Sequence, residues 1–229
     1  MTHNPIIVAL DVETAADARA LVARLGSTVN FYKVGMELYA AAGMEFVREL
    51  IGEGKDVFLD LKMYDIPETV KRAVIQVART GVRFLTIHAV GSAMRAAVEG
   101  RGASGLKLLG VTVLTSFGPE DMDDLNYTGT IAELVERRAR KAVEVGMDGI
   151  VASPLEVAAV RRIAGPQTIL VIPGIRSAGT EKGDQKRVAT PAEAIANGAD
   201  YLVIGRQITR AADPAAEAAK VLAEICVAG

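Results

Sequence analysis

The sequence holds a single cysteine, Cys226, no tryptophan and only two histidines, and each scarcity removes a class of chemistry. One cysteine can form neither an intrachain disulfide nor a thiolate metal cage within one chain, which fits a reducing compartment. His3 stands in the N-terminal tail, so His88 has no second histidine with which to build a metal site. The 26 Lys and Arg residues form no cluster, and a formal net charge of −2 offers no footprint for nucleic acid or an anionic membrane. Any anionic ligand is therefore small and locally bound. No uncharged apolar run approaches the roughly 20 residues that span a bilayer. Residues Met1 to Ile7 lack a basic stretch followed by an apolar one, so the expectation is an unexported, cytoplasmic protein. Also missing are a Gly-x-Gly-x-x-Gly run, a Gly-Lys-Ser/Thr phosphate loop and a Gly-x-Ser-x-Gly elbow. Chemistry with neither cofactor nor metal is the default expectation.

What is present is a repeating architecture. Half of the 229 residues are apolar, enough for one large core, and Ala, Val, Ile and Leu dominate it. Short β-branched runs predict eight strands, at Ile6 to Val12, Phe31 to Met36, Val57 to Lys62, Phe84 to Ala89, Leu108 to Thr115, Gly149 to Ala152, Ile169 to Pro173 and Tyr201 to Gly205. Most are continuous apolar runs, as expected of strands covered on both faces. Helical stretches follow each of them, for example from Thr14 to Gly26, from Pro67 to Arg79 and from Thr130 to Gly146. Eight β/α units with no linker predict a single-domain (β/α)8 TIM barrel over residues 1–229, with a doubly wound open sheet as the structural alternative.

In such a barrel the strand C-termini and the loops after them carry function, which selects Asp11, Lys33, Asp60, Lys62, His88, Thr115, Arg176 and Arg206. The most informative run is Asp60-Leu61-Lys62-Met63-Tyr64-Asp65-Ile66-Pro67-Glu68-Thr69. Strand alternation projects Asp60 and Lys62 to one face and Leu59 and Leu61 to the other. Buried charges need partners, and Lys33 and Asp65 are available. A lone Asp-x-Lys is equally a salt bridge closing a barrel layer; four charges together favour function. Fixed, alternating charge suits a reaction that creates negative charge.

Gly205-Arg206 after strand eight and Pro173-Gly174-Ile175-Arg176 after strand seven match the place where barrels bind phosphate, although Arg206 also reads as a rim arginine. The polar stretch 176–190 reads as a lid in which Gln185 would bridge base and phosphate, or as a solvated excursion. Asp11 and Thr115 suit hydroxyl and heterocycle contacts, and helix capping explains them equally well. His88 reads more simply as a hydrogen-bonded rim histidine than as a ligand.

The run Asp60-x-Lys62-x-x-Asp65-Ile66-Pro67-x-Thr69 resembles the signature of the orotidine 5′-monophosphate decarboxylases. Leu10-Asp11, Lys33-Val34-Gly35, Leu114-Thr115-Ser116, Pro173-Gly174-Ile175-Arg176, Gly183-Asp184-Gln185 and Ile204-Gly205-Arg206 extend the resemblance over nearly the whole chain in family order. The resemblance implies a decarboxylation of orotidine 5′-monophosphate to UMP and CO2, the last step of pyrimidine nucleotide synthesis, without cofactor. It implies that Lys62 protonates C6, that Asp11 and Lys33 bind ribose hydroxyls and that Thr115 lies near the pyrimidine. Arg176, Gln185, Gly205 and Arg206 would surround the phosphate. It further implies a homodimer in which Asp65, Ile66 and Thr69 enter the neighbouring subunit's site. Two rivals remain: a sister barrel with a similar Asp-x-Lys-x-x-Asp strand that uses Mg2+ to stabilise an enediolate, and a non-catalytic phosphosugar or nucleotide sensor that needs no Lys62.

Overall fold

The computed structural model describes residues 4–179 and 188–227. Eight parallel strands close into a barrel in sequence order, with β1 pairing both β2 and β8: β1 (Ile6–Ala9), β2 (Phe31–Gly35), β3 (Asp56–Met63), β4 (Phe84–His88), β5 (Lys107–Val111), β6 (Gly149–Val151), β7 (Ile169–Ile172) and β8 (Tyr201–Ile204). The open-sheet alternative is thereby excluded. Helices α1 (Ala15–Leu25), α2 (Met36–Gly52), α3 (Pro67–Ala78) and α4 (Gly91–Arg101) follow the first four strands. The fifth connection carries a short α5 (Pro119–Asp124) before α6 (Ile131–Glu144), and α7 (Val157–Ala164) follows β6. The last two connections carry α8 (Pro191–Ala196), α9 (Arg206–Thr209) and α10 (Pro214–Val227).

Local sequence sets these boundaries. Thr14 caps α1 by accepting from the Asp17 N–H, and Thr130-Glu133 and Thr190-Glu193 form reciprocal capping boxes at α6 and α8. Pro67 opens α3, where its missing N–H costs nothing. Inside α2, Gly43 takes φ 63°, a left-handed break that the helical spacing of Glu37 to Gly52 does not reveal. Helices α5 and α9 were not expected; each is at most six residues long, too short for a periodic signal.

Alternation along the strands divides the buried residues into two groups. One lies between sheet and helices; the other, including Ile7, Phe31, Phe58, Phe84, Leu109 and Tyr201, fills the barrel. The rings of Phe31, Phe84 and Tyr201, from three different strands, meet edge to face at 5.0 to 5.6 Å across the lower barrel. No helix among the described residues is long and apolar enough to cross a membrane.

Candidate active site

Two residues beyond this aromatic layer, the inward positions become polar: Phe31 is followed by Lys33, Phe58 by Asp60, and Phe84 by Thr86 and His88. Above them opens a cavity of about 550 Å³ whose lining includes Asp11, Lys33, Asp60, Lys62, Thr115, Arg176, Gly205 and Arg206. The structure thus brings together eight of the site residues expected from sequence.

Four of them form a line of alternating charge. Lys33 Nζ lies 2.8 Å from Asp11 Oδ1 and 3.8 Å from Asp60 Oδ2, and Lys62 Nζ lies 2.9 Å from the same Asp60 oxygen. The two central side chains are about nine-tenths buried, Lys62 keeps 27% of its surface and Asp11 57%, so the line runs from solvent into the barrel. Charges this deep are tolerated only when paired, and here each central charge has partners of opposite sign. Gly35 makes the packing possible: a Cβ there would stand 3.0 Å from Lys33 Nζ and 3.4 Å from Asp11 Oδ1.

Strand alternation does not by itself account for the Asp60–Lys62 pair. Pairing of β3 with β4 is regular through Leu59↔Leu85, then resumes at Met63↔Ile87, so β3 advances four residues while β4 advances two. At this bulge Lys62 takes φ 47°, a left-handed conformation costing a residue with a side chain about 1–2 kcal/mol. The bulge aims the ammonium group back over Asp60. Its backbone N–H is satisfied by a side chain: Thr86 Oγ1 accepts it at 2.9 Å and donates to Asp60 Oδ1 at 2.9 Å.

His88 ends β4 half-buried, its ring edge to face with exposed Tyr64 at 5.9 Å. Burial first, then the Arg138 and Lys62 charges, push its pKa below the ordinary histidine value, with Asp60 opposing. Strand β5 ends at Val111, four residues before the expected end, so Thr115 and Ser116 line the cavity from a loop instead. Arg138 on α6 ties that loop down: it donates to the Thr112 carbonyl and to the Tyr127 hydroxyl at 2.8 Å, with its guanidinium 5.4 Å from the Tyr127 ring centroid.

Arginines mark the opposite wall. Arg176, half-buried, and Arg206 at the start of α9 both line the cavity, joined by Arg210. Burial, and next the charge of Arg206, lower the Arg176 pKa, the signature of two cations sharing a partly dry corner. An anion there would relieve both penalties. The loop that begins at Arg176 has its ends tied together: Ile175 bridges Ala189, and the Arg176 N–H donates to the Ala189 carbonyl at 3.0 Å. Gln207 fastens one end to α9, accepting from the Ser177 N–H at 3.0 Å and donating to its hydroxyl at 2.7 Å. Gln185 lies outside the described residues.

Three expected residues are not part of the cavity lining. Asp65, Ile66 and Thr69 are exposed around the start of α3, and the Asp65 carboxylate accepts from the Ile66 N–H at 2.6 Å. Within this chain the charge line therefore ends at Lys62. Sequence reasoning missed Glu37, Ser116 and Arg210 in the lining, and Thr86 beneath it. Arg210 lies one helical turn beyond Arg206, and Thr86 two strand positions before His88; both spacings were available signals. Among the described residues, no three His, Cys, Asp or Glu side chains are grouped to hold a metal ion.

Residues 4–221 match the model of the family described as "Orotidine 5'-phosphate decarboxylase / HUMPS family". A protein of Bradyrhizobium sp. (strain ORS 278) named orotidine 5′-phosphate decarboxylase is 51% identical over 223 residues, 97% of this chain and 92% of that one. One of the same name from Nitrobacter winogradskyi is 52% identical over 225 residues, covering 98% and 94%. The crystal structure of orotidine 5′-phosphate decarboxylase from Lactobacillus acidophilus superposes with a TM-score of 0.86 at 36% identity, over 97% of this chain and 99% of that one.

Proposed function

Because this chain belongs to the orotidine 5′-phosphate decarboxylase / HUMPS family, we propose that it converts orotidine 5′-monophosphate to UMP and CO2 without a cofactor, with Lys62 as the proton donor. The observation that carries the reading is the charge line, which sets one ammonium group, held by Asp60, at the edge of a nucleotide-sized cavity. When the C6 to carboxylate bond breaks, its electron pair stays on C6 in the ring plane, out of reach of the π system. Fixed cations are the available stabiliser. An ammonium about 4 Å from that charge contributes on the order of 4 kcal/mol at an effective dielectric near 20, about three decades in rate. Lys62 then passes its proton to C6, giving UMP and a neutral amine that solvent reprotonates.

One lysine is not the whole catalyst. Arg176 and Arg206, both lining the cavity, would hold the 5′-phosphate, and binding energy gathered there would be spent on aligning the ring against Lys62. Asp11 and Lys33 would bind ribose hydroxyls and Thr115 would face the pyrimidine; all three line the cavity. Asp60 orients both lysines. Asp65, Ile66 and Thr69, exposed beside Tyr64, suit a homodimer in which they enter the partner's cavity. Such a dimer would leave activity per subunit falling on dilution below its dissociation constant.

The Mg2+-dependent sister reaction has less support, since it needs a carboxylate cluster that the described residues do not form. The deciding assay follows loss of orotidine 5′-monophosphate absorbance and formation of UMP in excess chelator. Undiminished turnover is expected. Turnover that chelator abolishes and Mg2+ restores would contradict the cofactor-free reading, and tight nucleotide binding without turnover would favour a sensor.

A further inference from the structure

Thr86 stands where the β3–β4 ladder fails. Between the pairs Leu59↔Leu85 and Met63↔Ile87 the extra residues of β3 lose their regular backbone partners, and the Thr86 hydroxyl serves in their place. A threonine hydroxyl has one proton and two lone pairs. Because the Lys62 N–H can only donate, it takes a lone pair of Thr86 Oγ1, which leaves the hydroxyl proton for Asp60 Oδ1; both contacts are 2.9 Å. An ionised carboxylate is acceptor-only, so this direction of donation is forced. Asp60 is thereby divided: Oδ1 takes the hydroxyl, and Oδ2 takes Lys62 Nζ at 2.9 Å and Lys33 Nζ at 3.8 Å. Thr86 is fully buried, so no water replaces its hydroxyl without rearrangement.

We propose that Thr86 is a positioning residue for the decarboxylation: one hydroxyl fixes both the left-handed backbone that launches the Lys62 side chain and the carboxylate that receives its ammonium. This inference rests on the role assigned to Lys62 above. Thr86 does not line the cavity and acts on the site through the Lys62 backbone and through Asp60, whose nearer ammonium is Lys62 at 2.9 Å against 3.8 Å for Lys33. Removing the hydroxyl frees the carboxylate to turn and leaves a buried N–H and a buried oxygen without partners.

The test compares Thr86→Val, which keeps the shape, with Thr86→Ser, which keeps the hydroxyl, and sets both beside Lys62→Ala. Thr86→Val is expected to lower kcat by roughly 10- to 100-fold, the cost of a misplacement of about 1 Å, with KM within about 3-fold of wild type. Thr86→Ser should restore kcat to within about 3-fold, because the same two hydrogen bonds return. In a Lys62→Ala background, adding Thr86→Val should cost little more, since the group it positions is gone. Should Thr86→Val prove insoluble, Thr86→Ala removes the hydroxyl in the same way and carries the same expectations. A Thr86→Val kcat indistinguishable from wild type, an equal loss in Thr86→Ser, or full additivity with Lys62→Ala would each overturn the proposal. A fully active Lys62→Ala would instead overturn the parent reading, so the two failures are distinguishable.

Discussion

The two ends of the barrel are built on the same inward register and do opposite things with charge. At the N-terminal end, Arg83 lies 5.0 to 5.7 Å from the ring centroids of Phe31, Phe84 and Tyr201, pairs with Asp56 at 2.6 Å and donates to the Tyr201 hydroxyl at 2.7 Å. That ion pair is some 40% exposed, so water shares in solvating it and it closes an apolar plug. Two positions up from Phe31 and four up from Asp56, Lys33 and Asp60 are almost dry. Aspartates at the lower rim are tied into backbone as well: Asp200 accepts from Arg161 at 2.6 Å and from the Leu170 N–H at 2.7 Å, and Asp148 accepts from Arg101 and from the Leu108 N–H at 2.9 Å. The lower charges therefore hold the barrel together, whereas the upper ones are aimed at an open cavity. The proposed function thus sets reactivity at the end opposite to these structural ion pairs.

This division is broken most directly at Lys62. Lys62→Ala is expected to reduce UMP formation by at least about three decades, yet to leave Tm within about 2 °C, because Asp60 keeps Thr86 and Lys33. A parallel loss of both would erase the distinction between the ends. Phe84→Ala should show the reverse. The ring is fully buried among Phe31, Phe58 and Tyr201, so its removal should cost about 3–5 kcal/mol, on the order of 10 °C in Tm for a chain of this size. Turnover below the melting range should stay near wild type. Arg206→Ala sharpens the picture within the upper end: kcat/KM for orotidine 5′-monophosphate should fall roughly 100-fold, as expected for a lost charged hydrogen-bonding partner. Phosphate-free orotidine should be used as before, and equal damage to both substrates would remove Arg206 from the phosphate site.

The smallest effect concerns pH. His88 titrates below its ordinary value in the fold, chiefly because it is buried. An unfolded chain therefore binds the proton more readily, so the stability His88 contributes is present above about pH 6.5 and is lost as pH falls through its lowered native value. Thermal melts between pH 7.5 and 5 should show that loss, and His88→Asn should flatten it. An unchanged slope would mean that other groups carry the acid sensitivity.

Much of this was legible in the sequence because barrel strands covered on both faces leave continuous apolar runs, and polar residues at their ends then stand out. Asp60, Lys62, Lys33 and Asp11 were visible for that reason. The bulge at Lys62 was not: its alternation with Asp60 looks regular in sequence, and the irregularity appears only in how β3 pairs with β4. Thr86 was passed over because a threonine inside an apolar strand reads as a β-branched filler. The early end of β5 was equally hidden, since Val111 to Leu114 are compatible with continued strand. Two tertiary features, a broken ladder and a cross-strand hydroxyl, supply what local pattern could not.

Proton transfer by Lys62 requires its nitrogen to meet C6, and hydrogen exchange at that carbon reads this directly. With UMP bound in D2O, the neutral amine of Lys62 would remove the C6 proton and return a deuteron, so the wild-type protein should label C6 and Lys62→Ala should not exceed the buffer background. Labelling by Lys62→Ala at the wild-type rate would contradict the assignment.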